Sequence, residues 1–214
     1  MRSILQMGRQ SAKLKVILPI WSITPSVKPL IDCLMKSITW ELVIKMSYIF
    51  TDENKTWQFD FSSAIWATDQ LHKIFQCVKD GILCDVDFVV EDKYNLYFIE
   101  YKNSNFVGVT RPELHKIDNS EIWRKLARKY WDSLHYIQQI RPNENKNKIY
   151  VCIIESRSGG TTDRKKLRLK LRDRLPFNLQ IREEFIGKLI SDVEVVNLDE
   201  WNEKYQQFPA VRLK

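Results

Sequence analysis

The stretch 84–103, CDVDFVVEDKYNLYFIEYKN, constrains the fold more than any other part of the chain. Val, Ile, Phe and Tyr dominate it, and Asp92-Lys93-Tyr94-Asn95 in its middle is turn chemistry, which predicts two short β-strands over 85–91 and 96–102. Pairing them antiparallel across that turn sets Glu91 opposite Leu96, Val89 opposite Phe98 and Asp87 opposite Glu100, with side chains on a shared face because a strand repeats every two residues. Directly opposed residues have Cβ atoms roughly 5 Å apart, and like charges so placed are destabilising. Positive charge between the two carboxylates would resolve the conflict. Lys102, on the same face as Glu100, supplies one such charge and a divalent cation could supply more. The hairpin therefore points to a metal and phosphate site. A plainer alternative is that Glu100 and Lys102 sit on an edge strand, or that they pair with each other and with Asp85, which the same register places opposite Lys102.

An acidic residue two positions before a lysine is common here, as in Glu53-Asn54-Lys55, Glu91-Asp92-Lys93, Glu144-Asn145-Lys146 and Asp163-Arg164-Lys165. Glu100-Tyr101-Lys102 differs from these in lying inside an apolar strand with an acid-bearing strand before it. Asp87 followed by Glu100-Tyr101-Lys102 resembles the core motif of the PD-(D/E)XK nuclease superfamily, over about residues 60–205. The resemblance implies an α/β, restriction-endonuclease-like fold, a central mixed β-sheet with an αβββαβ core flanked by helices. It also implies a Mg²⁺- or Mn²⁺-dependent endonuclease that hydrolyses phosphodiester bonds in nucleic acid, DNA in the first instance. Asp87 and Glu100 would hold the metal, the Tyr101 backbone carbonyl would complete its shell, and Lys102 would position or activate water; Asp69 and Asp85 are candidate accessory acids. The alternative is a catalytically inactive nucleic-acid-binding or protein-interaction module on the same scaffold. A single site that cuts both strands of a duplex commonly acts as a homodimer.

At 214 residues, 44% hydrophobic and 29% charged, the composition is that of a globular protein with room for a real core. The net charge of +7 (34 basic minus 27 acidic) is uneven: residues 1–46 and 163–174 each carry seven basic and two acidic groups. A local basic patch is the electrostatic hint of nucleic acid. Cys33, Cys77, Cys84 and Cys152 have no CxxC spacing and read as buried reduced thiols of a cytoplasmic protein. His72, His115 and His135 are scattered and suggest no zinc site. The uncharged run 16–27 contains two prolines and falls far short of the roughly 20 residues of a membrane span, and it is no tidy signal peptide. Residues 1–46 read as an N-terminal extension, either with a loosely periodic helix over 30–46 or as sequence upstream of a natural start at Met46, and 47–214 as the nuclease-like domain.

Along the domain, a strand is expected near 48–51 and a helix over 61–78, capped by Asp60 or Ser62 and carrying Asp69 in its middle. The loop 104–119 is a plausible substrate-contacting segment. Ser120 caps a long helix over 121–140 whose apolar stripe includes Ile122, Leu126, Tyr130, Leu134 and Ile137. Its other face bears Arg124, Lys125, Arg128 and Lys129, either a solvated surface or a contact to a nucleic-acid backbone. The run 148–154, KIYVCII, reads as a central strand covered on both faces, reached from the hairpin by a helical crossover. SRSGGTT over 156–162 lacks the spacing of a phosphate loop. The segment 163–175 has leucines at helical spacing; Lys166, Lys170 and Arg174 between them suit phosphate contact, in preference to a membrane surface or ordinary docking. A short helix over 182–189, a strand over 193–196 and a helix over 200–207 complete the chain. No GxSxG and no pairable Cys and His argue for a serine or cysteine hydrolase.

Overall fold

The computed structural model describes residues 47–103, 120–141, 145–155, 160–185 and 187–213. The expectations for the N-terminal extension, Cys33, His115, the loop 104–119 and most of SRSGGTT lie outside those residues. The described chain is mixed α/β with two sheets and four helices. In order it forms β1 (Ile49–Thr51), β2 (Trp57–Asp60), β3 (Trp66–Thr68), α1 (Leu71–Phe75), β4 (Phe88–Glu91), β5 (Asn95–Asn103), α2 (Ser120–Ile140), β6 (Asn147–Glu155), α3 (Thr161–Arg172), β7 (Asp192–Val196), α4 (Leu198–Lys204) and β8 (Ala210–Arg212). The larger sheet has the order β3-β4-β5-β6-β7, and a smaller one has β1-β2-β8.

The hairpin register is as the turn chemistry dictates: Glu91 pairs with Leu96, Val89 with Phe98 and Phe88 with Ile99. Asp92 fixes the turn by accepting the Tyr94 and Asn95 N–H groups at 2.7 and 2.6 Å. β5 then runs parallel to β6 over nine residue pairs, with α2 as the crossover, and β6 runs parallel to β7. β5 is thus a central strand and not an edge strand, so its charges cannot be explained as edge protection.

Alternation along these strands divides the core in two. Val89, Leu96, Phe98, Tyr150, Cys152 and Val193 face Trp123, Leu126, Tyr130 and Leu134 of α2 and Leu167 and Leu171 of α3. Phe88, Tyr97, Ile99, Tyr101, Val151 and Ile153 face Trp201 of α4 and the small sheet's Phe59. Phe59 packs 5.0 Å from Phe88 and 5.4 Å from Tyr101, ring to ring, so the small sheet buttresses the strand that carries Glu100 and Lys102 from behind. α4 begins with a capping box, Asn197 accepting the Glu200 N–H at 2.9 Å while its own N–H donates to Glu200.

Several local expectations give way to tertiary structure. The segment 61–78 is not one helix: Trp66, Ala67 and Thr68 add a strand against Glu91, Val90 and Val89, and only Leu71–Phe75 is helical. Ile65, within that segment, is 58% exposed. The open edge of β4 accepts β-prone Trp and Thr, which overrides a loose helical period. Residues 182–185 and 187–189 form no helix, because the Gln180 side chain accepts the Leu189 and Ile190 N–H groups and donates to the Ile190 carbonyl, closing a loop. Cys77, Cys84 and Cys152 are free thiols, but only Cys152 is buried and Cys77 is exposed. Among the described residues no helix is long and apolar enough to cross a membrane.

Candidate functional site

Asp87 sits one residue before β4, and the Phe88–Ile99 pairing places it opposite Glu100 of β5. Its Oδ2 accepts the Tyr101 N–H at 2.7 Å, so the carboxylate itself continues the ladder where the strand has not yet begun. In a strand the N–H and C=O of one residue point to the same side, which directs the Tyr101 carbonyl towards Asp87 as well. The segment leading into Asp87 is pinned by α2: the Cys84 N–H donates to Asp132 Oδ2 at 2.9 Å and the Val86 N–H to Ser133 Oγ at 3.1 Å. Those bonds draw residues 84–86 away from β5, and Asp85 consequently pairs with His72 Nδ1 at 3.3 Å rather than with Lys102. Ser133 is fully buried. Ser133→Ala is therefore expected to leave the Val86 N–H unsatisfied at a cost of about 1–3 kcal/mol, measurable by urea unfolding, and to loosen Asp87.

Glu100 is completely buried, and it is held by two lysines. Lys102 Nζ lies 2.6 Å from Glu100 Oε1; Lys129 Nζ, reaching in from α2, lies 2.7 Å from Oε1 and 2.9 Å from Oε2, and 3.9 Å from Asp87 Oδ1. Lys129 belongs to this cluster and not to the exposed basic face; its side chain is 13% exposed. Arg124, Lys125 and Arg128 do lie on the exposed side of α2. Of the second basic segment, Lys166 and Arg174 are exposed and Lys170 is half-buried, while Arg164 and Arg168 are bound to Glu200 and Asp192. The remaining acid-x-lysine sequence of the hairpin is structural: Glu91 is clamped by Arg141 at 2.5 Å and Lys146 at 2.9 Å.

Asp87 behaves differently from an isolated carboxylate. Burial, and then the facing Glu100 carboxylate, push Asp87 up to about 7, despite the lowering influence of Lys102, Lys129 and the Tyr101 N–H. Burial alone would lower Lys102, but the Glu100 and Asp87 carboxylates outweigh it and hold its ammonium above the ordinary lysine range. Lys102 is a fixed cation at neutral pH. Cys152, paired with Glu100 across the β5–β6 ladder, is raised by burial and is not a thiolate.

Asp87 and Lys102 open onto a cleft of about 360 Å³ whose lining also includes Asp69, His72, Asp85 and Glu53. Asp69 lies in the chain leading into α1 rather than mid-helix, and so reaches the cleft. Asp52, also on the wall, is engaged in its own turn, accepting the Thr56 and Trp57 N–H groups at 2.6 Å. Among the described residues the cleft is thus mainly acidic around one lysine, whose side chain is 38% accessible. Among the described residues no group of three or more His, Cys, Asp and Glu side chains is arranged to hold a metal ion. A two-carboxylate site with a backbone carbonyl remains, and its donor set is of the kind an oxygen-preferring divalent cation takes, since each carboxylate retains lone pairs beyond those the lysines use. No family model, no curated protein and no solved structure matches the chain.

Proposed function

We propose that the protein is a divalent-metal-dependent nuclease acting on DNA, on a restriction-endonuclease-like scaffold of the PD-(D/E)XK kind. The observation that carries this reading is Asp87, which opens with Lys102 onto an acidic cleft and faces the buried Glu100 behind it, raised to about 7 by burial and that neighbour. A carboxylate strongly perturbed by burial and a specific charge partner, sitting in a cleft, is a functional-site candidate. Asp87, Glu100 and the Tyr101 carbonyl would hold Mg²⁺ or Mn²⁺, which when bound supplies an activated water and offsets charge developing on phosphorus.

The chain's own groups divide the remaining work. Lys102, protonated throughout the neutral range, donates to water or to a phosphate oxygen and takes no proton itself. Lys129 holds both Glu100 oxygens and so fixes the carboxylate's orientation. Tyr101 orients Asp87 through its N–H.

A second reading, a non-catalytic nucleic-acid-binding module, draws on one observation: Lys102 and Lys129 balance Asp87 and Glu100 charge for charge. Plasmid cleavage in Mg²⁺ or Mn²⁺ separates the two. The nuclease reading predicts that Lys102→Met slows cleavage about 10²–10³-fold while DNA affinity changes little. Cleavage absent from the wild type, with binding lost only when Lys166, Lys170 and Arg174 are neutralised, would favour the binding module.

A further inference from the structure

α2 carries a second feature, on the side turned away from the core. Arg124, Arg128 and Trp131 follow one another at spacings of four and three, so they share a helix face. With Arg174, which follows α3, and with Ser120 and Ala127, they line a hollow of about 370 Å³. Three arginines thus line one hollow. Among the described residues, only Arg128 has a carboxylate partner, Asp132 at 3.3 Å, and that carboxylate also accepts the Cys84 N–H. Arg174 donates to the Lys170 carbonyl at 2.9 Å, which holds its fork in place without neutralising it. Trp131 is half-buried and presents an aromatic wall to the same space.

Guanidinium groups suit phosphate oxygens bidentately, and an aromatic wall accepts the face of any base. A duplex hides its base faces; an unpaired strand exposes them. We infer that this hollow binds an unpaired nucleic-acid strand, with a phosphate held by Arg124, Arg128 and Arg174 and the adjoining base stacked on Trp131. The inference deepens the nuclease reading by naming the form of nucleic acid, a strand with at least one unpaired base. Lys129, which grips Glu100, adjoins Arg128 in sequence, so one helix would serve both the strand-binding hollow and the acidic cleft.

The test is fluorescence anisotropy of a labelled oligothymidylate, and of a duplex of equal length, with the full chain in EDTA so that no metal-dependent cleavage intervenes. Trp131→Ala is expected to weaken single-strand binding about tenfold and to leave duplex binding within twofold, and Trp131→Phe to restore most of the loss. Replacing Arg124, Arg128 and Arg174 together by Gln, all outside the core, is expected to weaken binding further. It should also lower the slope of log Kd against log salt by about 0.7, as for the one phosphate they hold on a single strand. Wild-type affinity in both Trp131 variants, equal losses on single strand and duplex, or wild-type affinity and salt slope in the arginine variant would each overturn the inference. Because binding is read without metal, such a failure is distinct from an absence of cleavage, which would count against the nuclease reading instead.

Discussion

Glu100→Ala is expected to destabilise the protein by about 3–5 kcal/mol at neutral pH, the range for removing one partner of a buried charge cluster. Glu100 has no exposed surface, and its loss leaves the Lys129 ammonium, 13% exposed, with Asp87 as its nearest carboxylate at 3.9 Å. Lys102 and Lys129, both within 2.7 Å of the same Glu100 oxygen, would then repel each other with nothing between them. The origin of the effect can be isolated. Lys129→Met in the Glu100→Ala background should recover part of the lost stability, since it removes the stranded charge, whereas additive losses would show that the two side chains do not interact. Urea unfolding of the four proteins of that cycle is the measurement. Glu100→Gln, which keeps the volume, should also bring Asp87 below 7, because Glu100 is the largest influence after burial that raises it.

Asp87→Asn is expected to do the reverse for stability. The folded-state Asp87 is raised to about 7 from the ordinary carboxylate value of 3.8, so the native protein binds a proton that the unfolded chain has released across that interval. Stability contributed by the protonated acid is present below the unfolded value and is lost as pH rises through the folded one. Asn carries no charge at any pH. The variant should therefore gain on the wild type between pH 4 and pH 7 and be the more stable protein at pH 8, by on the order of 2 kcal/mol after allowance for partial solvation. A stability difference that stays constant from pH 4 to pH 8 would show that Asp87 is not perturbed in the fold. Such a gain on removing a carboxylate is the signature of a group retained for function rather than for stability.

The hairpin and its register were legible because two constraints coincide in the sequence: a turn of fixed length and an apolar alternation of period two on either side of it. β6 was legible for a related reason, since KIYVCII is apolar on both faces. The long helix and its Ser120 start followed from a stripe that tertiary structure then buried at Leu126, Tyr130, Leu134 and Ile137. Lys129 was not legible. It stands among Arg124, Lys125 and Arg128, and its spacing alone does not say that it lies over a buried carboxylate; the available signal was Ser133, a small polar residue one turn on within an apolar stripe. The strand β3 was lost within a helical pattern because its pairing partner, the open edge of β4, is a non-local fact. β8, three residues of Ala-Val-Arg, is too short to announce itself. The Asp85–Lys102 pairing failed because the register was extended past the start of β4, where α2 rather than β5 claims the backbone.

The central claim is that Asp87 and Glu100 form a divalent-cation site that cuts nucleic acid, and calorimetric titration of Mg²⁺ and Mn²⁺ tests it most directly. The wild type and Asp87→Asn would be titrated at pH 7 in buffers of different ionisation enthalpy, with plasmid and single-stranded DNA cleavage followed in the same solutions. The account predicts saturable binding by the wild type, accompanied by release of the proton that Asp87 holds near pH 7, together with metal-dependent cleavage, all lost in Asp87→Asn. A wild type that binds neither ion and leaves both DNA substrates intact would contradict it.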